Sequence, residues 1–194
     1  MCGRYHVDEE TMREIKRLVQ QIEGGADGHK TGDICPSDTA LVLSGFDGRL
    51  CCQVQKWGFP SPYGKQLIIN ARRETALEKP SFREGLLHRR IAVPAAWFYE
   101  WNQAREKNIC YRKEKPVLFM AGCWNRYEDG DHFVILTASA NTSIKPIHDR
   151  MPMILEREEI ADWLLCDDRL PEFLQKELPF LERRTDYEQL NLFS

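Results

Sequence analysis

The chain has 194 residues, 42% apolar and 29% charged, the balance of a soluble globular protein with one sizeable core. Its formal charge of −3 excludes a generally basic nucleic-acid coat, so any nucleic-acid site is a local patch on a mildly acidic body. Seven cysteines with no Cys-x-x-Cys pair argue against a zinc finger and a disulfide scaffold. No apolar run is long enough for a bilayer and no signal-peptide pattern opens the chain, so a reducing cytoplasm is the expected compartment.

Residues 3–7 read as a short strand, with Asp8 as the N-cap of a helix carried by Met12, Ile15, Leu18, Val19 and Ile22 and stopped at Gly24-Gly25. Residues 24–33 read as loop. Residues 40–44 and 50–57 form a strand pair around the Asp47-Gly48 turn. Two prolines and a glycine make Pro60–Gly64 a loop, and Leu67-Ile68-Ile69 a short buried strand. A mixed helical stretch follows, broken by Pro80. Strands are expected at 91–93, 97–101, 109–112, 117–124 and 133–138, and helices near 156–166 and 171–178, the second opening on Pro171. Asn191-Leu192-Phe193-Ser194 is a short apolar tail. With no βαβ alternation, the pattern predicts an α+β fold: a single compact domain, residues 1–194, around a largely antiparallel, barrel-like β core with peripheral helices.

Cys2 follows Met1, which cytosolic processing is expected to remove. A free N-terminal cysteine carries two nucleophiles on adjacent carbons, with reference pKa values of about 7.7–8.0 for the amine and about 8.5 for the thiol. Together they can attack a carbonyl twice and close a five-membered ring. With Met1 attached the nitrogen is an amide and cannot do so; in that form Met1 is expected to block the pocket of Asn70, Glu100 and His148. Glu100 sits among four aromatics in Trp97-Phe98-Tyr99-Glu100-Trp101. Desolvation there raises a carboxyl pKa toward general acid–base use; a plain strand with Glu100 and Asn102 on its solvent face is the other reading. Asn70 ends an apolar strand. His148, between Pro146 and Pro152 in a rigid extended turn, is the best proton-transfer candidate of the five histidines, and its neighbour Asp149 need not be its partner. Arg4, Arg72 and Arg150 stand beside these residues, and guanidinium forks suit an anionic substrate.

At these residues the sequence resembles the SRAP family (SOS response-associated peptidase). The match runs through Met1-Cys2-Gly3-Arg4, Trp57-Gly58-Phe59, Ile69-Asn70-Ala71-Arg72 with Glu74-Thr75, Phe98-Tyr99-Glu100-Trp101, Ala121-Gly122-Cys123-Trp124, Leu136-Thr137 and Ile147-His148-Asp149-Arg150-Met151-Pro152. The resemblance implies a nucleophile at Cys2 that forms a thiazolidine with the ring-opened abasic site of single-stranded DNA, and autocatalytic removal of what precedes it. It implies Asn70, Glu100 and His148 as partners, and Arg4, Arg72 and Arg150 on DNA phosphates. It calls for no metal or other cofactor. The expected setting is a monomer, off the membrane, in the cytoplasm and at the nucleoid when on DNA. The family's usual Asn-x-Ala-Pro segment reads Asp33-Ile34-Cys35-Pro36 here, and Pro60–Gly64 holds no tryptophan pair, leaving Tyr63 as the candidate to stack on a base. Two other classes compete. Amidotransferases with an N-terminal cysteine also begin Met-Cys-Gly, but they carry an Asn-Gly pair that this chain lacks. A non-covalent single-stranded-DNA-binding module would leave Cys2 inert.

Overall fold

A computed structural model of the chain describes residues 2–19 and 30–185. Tyr5–Val7 is strand β1 and Glu9–Leu18 helix α1. Asp8 caps that helix, its Oδ1 accepting from the Thr11 N–H at 2.8 Å and the Thr11 hydroxyl at 2.7 Å. The expected continuation of α1 to Ile22 and Gly24-Gly25 lies outside the described residues. Gly32–Ile34 is strand β2, in a stretch whose composition reads as loop; it exists because it pairs antiparallel with β1. Thr39–Phe46 (β3) and Arg49–Trp57 (β4) form the expected hairpin. Asp47 and Gly48 turn it at φ 49° and 70°, both left-handed, as a two-residue hairpin turn requires.

Phe59–Pro60 (β5) and Leu67–Ile68 (β6) pair at the foot of the Pro60–Gly64 loop, and Asn70–Arg72 is β7. Pro80 begins a helix instead of breaking one: α2 spans Pro80–His88, and a proline at the first helical position removes an N–H that would have no partner anyway. Arg90–Ala95 (β8), Trp97–Trp101 (β9), Lys107–Tyr111 (β10), Leu118–Tyr127 (β11) and Gly130–Ser139 (β12) are the five expected strands. The sequence reading misses Arg150–Pro152 (β13), Ile154–Leu155 (β14) and Glu182–Thr185 (β15), which are too short and too mixed to show a period. The first expected helix shrinks to α3, Ile160–Leu165, because Arg157–Glu159 winds as a tighter 3₁₀ turn; the second is α4, Leu170–Gln175, which stops at Gln175, short of residue 178.

The fold is α+β, with a barrel at its centre. Strands β12, β4, β3, β8 and β11 are hydrogen-bonded in that order, and β11 pairs back onto β12. The contact of β12 with β4 is parallel and the others antiparallel. Closure is tight at Gly122, where a Cβ would stand 2.4 Å from the Val134 carbonyl oxygen. Strand β7 runs parallel beside β12, and β13 antiparallel to it. A second, wholly antiparallel sheet has the order β15-β10-β9-β1-β2.

Period-two alternation divides the apolar residues of the barrel strands. Val42, Val93, Met120 and Ile135 join Tyr5, Phe98 and Cys110 of the second sheet in one cluster. Leu43, Ala92, Phe119 and Leu136 join Ile15 of α1, Phe82 of α2 and Trp163 of α3 in another. Each fully buried side chain of this kind contributes roughly 1.5–3 kcal/mol. Packing of that size can hold a few polar groups where water would otherwise claim them.

Candidate active site

Cys2 stands at the open end of β1, wholly buried. Beyond the paired residues Tyr5 and Phe98, the Arg4 carbonyl accepts from the Tyr99 N–H at 2.9 Å, so β1 stays registered on β9 toward Glu100. The Cys2 thiol donates to the Arg4 carbonyl at 3.7 Å, and the Cys2 carbonyl accepts from Asn70 Nδ2 at 3.0 Å. Asn70 opens β7, opposite Ile135 of β12. The residue before it is pinned twice: the Ile69 carbonyl accepts from Trp57 Nε1 at 3.1 Å and from the Ile135 N–H at 3.2 Å. Thus an indole in the core sets the amide that grips Cys2. The other amide atom, Asn70 Oδ1, is buried and has no hydrogen-bond partner among the described residues.

Glu100 faces the core beside Phe98, 2% exposed, which removes the reading that puts it on a solvent face. Asn108 of β10 is its cross-strand neighbour and is also buried. Burial raises the Glu100 pKa. Burial, and then the Glu100 charge, push the Cys2 thiol far above its ordinary range, so the thiol stays protonated in this pocket near pH 7. Cys110 feels the same two influences and is pushed up to about 12.

His148 lies in a compact helical turn, not an extended one: its N–H donates to the Ile144 carbonyl at 3.0 Å, and buried Ile144 and Ile147 anchor the turn. Its Nδ1 accepts from the Arg150 N–H at 2.9 Å, which leaves the ring proton of the neutral form on Nε2. Burial lowers its pKa, so the neutral ring prevails near pH 7. Asp149 pairs with Lys145 at 2.7 Å. His148 and Trp101, the residue after Glu100, line one groove of about 660 Å³ with Asn102 and Lys145.

The three arginines differ. Arg4 lies over the Tyr99 and Trp101 rings, 6.0 and 5.6 Å from their centroids, and 4.0 Å from Asp33. Arg72 is exposed at the end of β7 and makes no ion pair among the described residues. Arg150 is forked onto Glu74 at 2.9 and 2.8 Å and donates to the Thr137 carbonyl at 2.6 Å. Tyr63 is 96% exposed on its loop. Met1 lies outside the described residues. Sequence reasoning passed over Asp33, which accepts from the Tyr99 hydroxyl at 2.9 Å and bonds His6 Nδ1 at 2.7 Å. It also passed over the role of Glu74 beneath Arg150. Strand alternation, with Tyr99 opposite in sense to Glu100, was the available signal for the first. Among the described residues no group of His, Cys, Asp or Glu is arranged to hold a metal ion, and no helix is long and apolar enough to cross a membrane.

The profile of the family "SOS response associated peptidase (SRAP)" matches residues 1–191. Abasic site processing protein YoqW of Bacillus subtilis is 33% identical over 192 residues, covering 90% of this chain and 85% of that protein. Abasic site processing protein YedK of Escherichia coli is 30% identical over 176 residues, covering 84% and 79%. A crystal structure of a protein from Bacteroides thetaiotaomicron superposes with a TM-score of 0.78 at 22% identity, covering 95% of this chain and 91% of that one, a likeness of fold. With a profile match along nearly its whole length, this chain belongs to the SOS response associated peptidase (SRAP) family.

Proposed function

We propose that the chain processes abasic sites in single-stranded DNA by linking itself to them through Cys2. The observation that carries this reading is one pocket. There Asn70 holds the Cys2 carbonyl, and a buried Glu100 acts on the same thiol. The names of the relatives, abasic site processing proteins, supply the substrate class.

Loss of Met1, or of whatever else precedes Cys2, exposes the α-amine. The same pocket cleaves that bond by hydrolysis, which is the peptidase step. The amine adds to the aldehyde carbon of the opened sugar, and the adduct loses water to give an imine. The thiol then adds to the imine carbon, its proton passes to the nitrogen, and the thiazolidine closes with no change of oxidation state. Because burial keeps the thiol protonated, the amine leads and the thiol needs a base. Glu100, with its raised pKa, protonates the departing hydroxyl and then takes the thiol proton. His148, neutral, offers its Nε2–H to the sugar oxygen. Asn70 Oδ1 accepts from the amine and fixes its approach. Arg4 and Arg72 hold phosphates; Arg150 reaches one only by sharing its fork with Glu74 and otherwise braces the His148 turn. Tyr63 stacks on an unpaired base. The protein acts as a monomer in the cytoplasm.

Intact-mass analysis tests the reading. Protein lacking Met1, mixed with abasic single-stranded DNA, gains the mass of the DNA less one water, and intact DNA gives nothing. Cys2→Ala keeps an amine and leaves at most a hydrolysable imine. A heat-stable adduct on Cys2→Ala, or on protein still carrying Met1, sinks the thiazolidine.

A further inference from the structure

Residues 176–181 join α4 to β15 without regular structure, yet they are held along their length. Arg73, the residue after β7, donates to the Lys176 carbonyl at 2.8 Å. Asn141 Nδ2 donates to the Leu178 and Pro179 carbonyls at 3.1 and 3.0 Å, and the Leu181 N–H donates to Ser143 Oγ at 3.2 Å. Asn141 and Ser143 open the turn that carries His148. Underneath, Leu178 and Leu181 pack on the cluster that holds Cys2 and Cys110. The strap therefore runs from the end of β7 to the edge of the second sheet and is tied to the His148 turn on the way.

Between these ties Phe180 is 70% exposed. A single exposed phenylalanine on a slack loop would need no explanation. Here the backbone is fixed on both sides of it, so the ring stands at a set place and a ligand need not order the chain. Three residues on is Arg183, exposed and without an ion pair among the described residues. Arg183 lies opposite Cys110 of β10, and residues directly opposite in a sheet share a face. That is the face on which Cys110 and Glu100 meet Cys2, and Cys110 feels the Arg183 charge. Glu182 and Arg184 project from the other face. There Glu182 accepts from the Tyr111 hydroxyl at 3.4 Å and Arg184 lies 5.7 Å from the Tyr111 ring centroid. Strand alternation thus sends one arginine of an adjacent pair to the Cys2 side and the other away.

We propose that residues 176–183 form a rail for the single-stranded DNA that flanks the lesion, with Phe180 stacked on an unpaired base and Arg183 on a phosphate. An aromatic ring beside a guanidinium matches a single strand, whose bases have free π faces and whose backbone is anionic. The two side chains are separated by at most about 10 Å of chain. The rail is continuous with the groove at Trp101 and His148, because the turn to which the strap is tied forms one wall of that groove. It rests on the DNA reading of the Cys2 pocket and adds to it a grip on the strand outside the reacting sugar.

The test is fluorescence anisotropy of a labelled single-stranded oligonucleotide with a tetrahydrofuran in place of the abasic sugar, which has no aldehyde and cannot crosslink. All variants are of the full chain. Phe180→Ala is expected to bind about tenfold more weakly, and Phe180→Tyr, which keeps a ring, as tightly as wild type. Arg183→Ala is expected to weaken binding and to flatten the slope of log K against log salt by about 0.7. Two controls are expected to match wild type: Arg184→Ala, on the other face of the same strand, and Phe46→Ala, whose ring is 58% exposed at the β3–β4 hairpin. Wild-type binding with Phe180→Ala and Arg183→Ala both unchanged overturns the rail and leaves the Cys2 chemistry standing. A Phe180→Tyr as weak as Phe180→Ala overturns the stacking, and equal losses from Arg183→Ala and Arg184→Ala overturn the phosphate seat, since net charge alone then explains them. Wild-type protein that neither binds this strand nor crosslinks to abasic DNA sinks the DNA reading, and the rail with it.

Discussion

The two faces of β9 live in different solvents. Inward, Phe98 and Glu100 meet Tyr5, Cys2 and Cys110, and Glu100 is 2% exposed. Outward, Trp97, Tyr99 and Trp101 meet His6, Arg4 and Asp33, and the Arg4 and Asp33 side chains are 40% and 42% exposed. Inside, burial decides protonation: it raises Glu100 and the Cys2 thiol together. Outside, although partial burial opposes it, hydrogen bonds from His6 and Tyr99 hold Asp33 below the usual carboxylate range. One strand of alternating side chains thus separates a dry chamber, where burial sets protonation, from a wet surface, where hydrogen bonds and charge set it.

The largest effect expected on the dry face is from Glu100→Gln. Single-turnover crosslinking should slow by about 10²–10⁴-fold while affinity for DNA holds, measured by quenched time courses at saturating protein. An unchanged rate would show that burial of this carboxyl serves something other than proton transfer. The same variant has a stability signature. Because the folded pKa of Glu100 is raised, its contribution is fully present below the unfolded value of about 4.3 and is lost as pH rises through the folded one. Glu100→Gln should therefore melt above the wild type at pH 8, and the gap should close near pH 4.

Disturbing the support of His148 should cost less. Glu74→Gln weakens the fork on Arg150, whose N–H fixes the His148 ring. Loss of a charged hydrogen bond predicts a rate about tenfold lower. Glu74→Asp should restore part of it, and weaker DNA affinity with the saturated rate intact would assign Glu74 to binding instead. Among surface changes, Arg72→Ala should leave the saturated rate alone and flatten the slope of log K against log salt by about 0.7. The smallest effect is expected from Asp33→Asn, about 1 kcal/mol at pH 7 by chemical denaturation. With its folded pKa depressed, Asp33 stabilises above about 3.9, and the difference should fade as acid protonates it.

The sequence exposed the dry face better than the wet one. Glu100 stands out because a carboxyl among aromatics violates the local pattern, and Asn70 because it interrupts an apolar strand. The five central strands are long enough for alternation to show. Strands β13, β14 and β15 are not, and β2 is a strand only because β1 lies beside it. Pro80 was ambiguous in kind: the same residue ends a helix from within and starts one at its edge. Asp33 and Glu74 look like any surface acid until the fold brings Tyr99 and Arg150 to them. The protonation of Cys2 could not be read at all, because it depends on what covers the thiol.

The strand that carries Cys2 is made early on the ribosome, yet it ends in the middle of its sheet, between β2 and β9. Its β9 partner, reached at Trp97 and Phe98, is translated about ninety residues later, some 5–20 s at common synthesis rates. The sheet itself closes only with residues 182–185. Throughout that interval the thiol lacks the cover that raises its pKa, while Asn70 and Glu100, which meet Cys2 in the finished fold, arrive one at a time. Non-local pairing of this kind slows folding. It also makes burial of the Cys2 thiol a late event, coupled to near-completion of the chain, so that a truncated translation product leaves that thiol open to solvent.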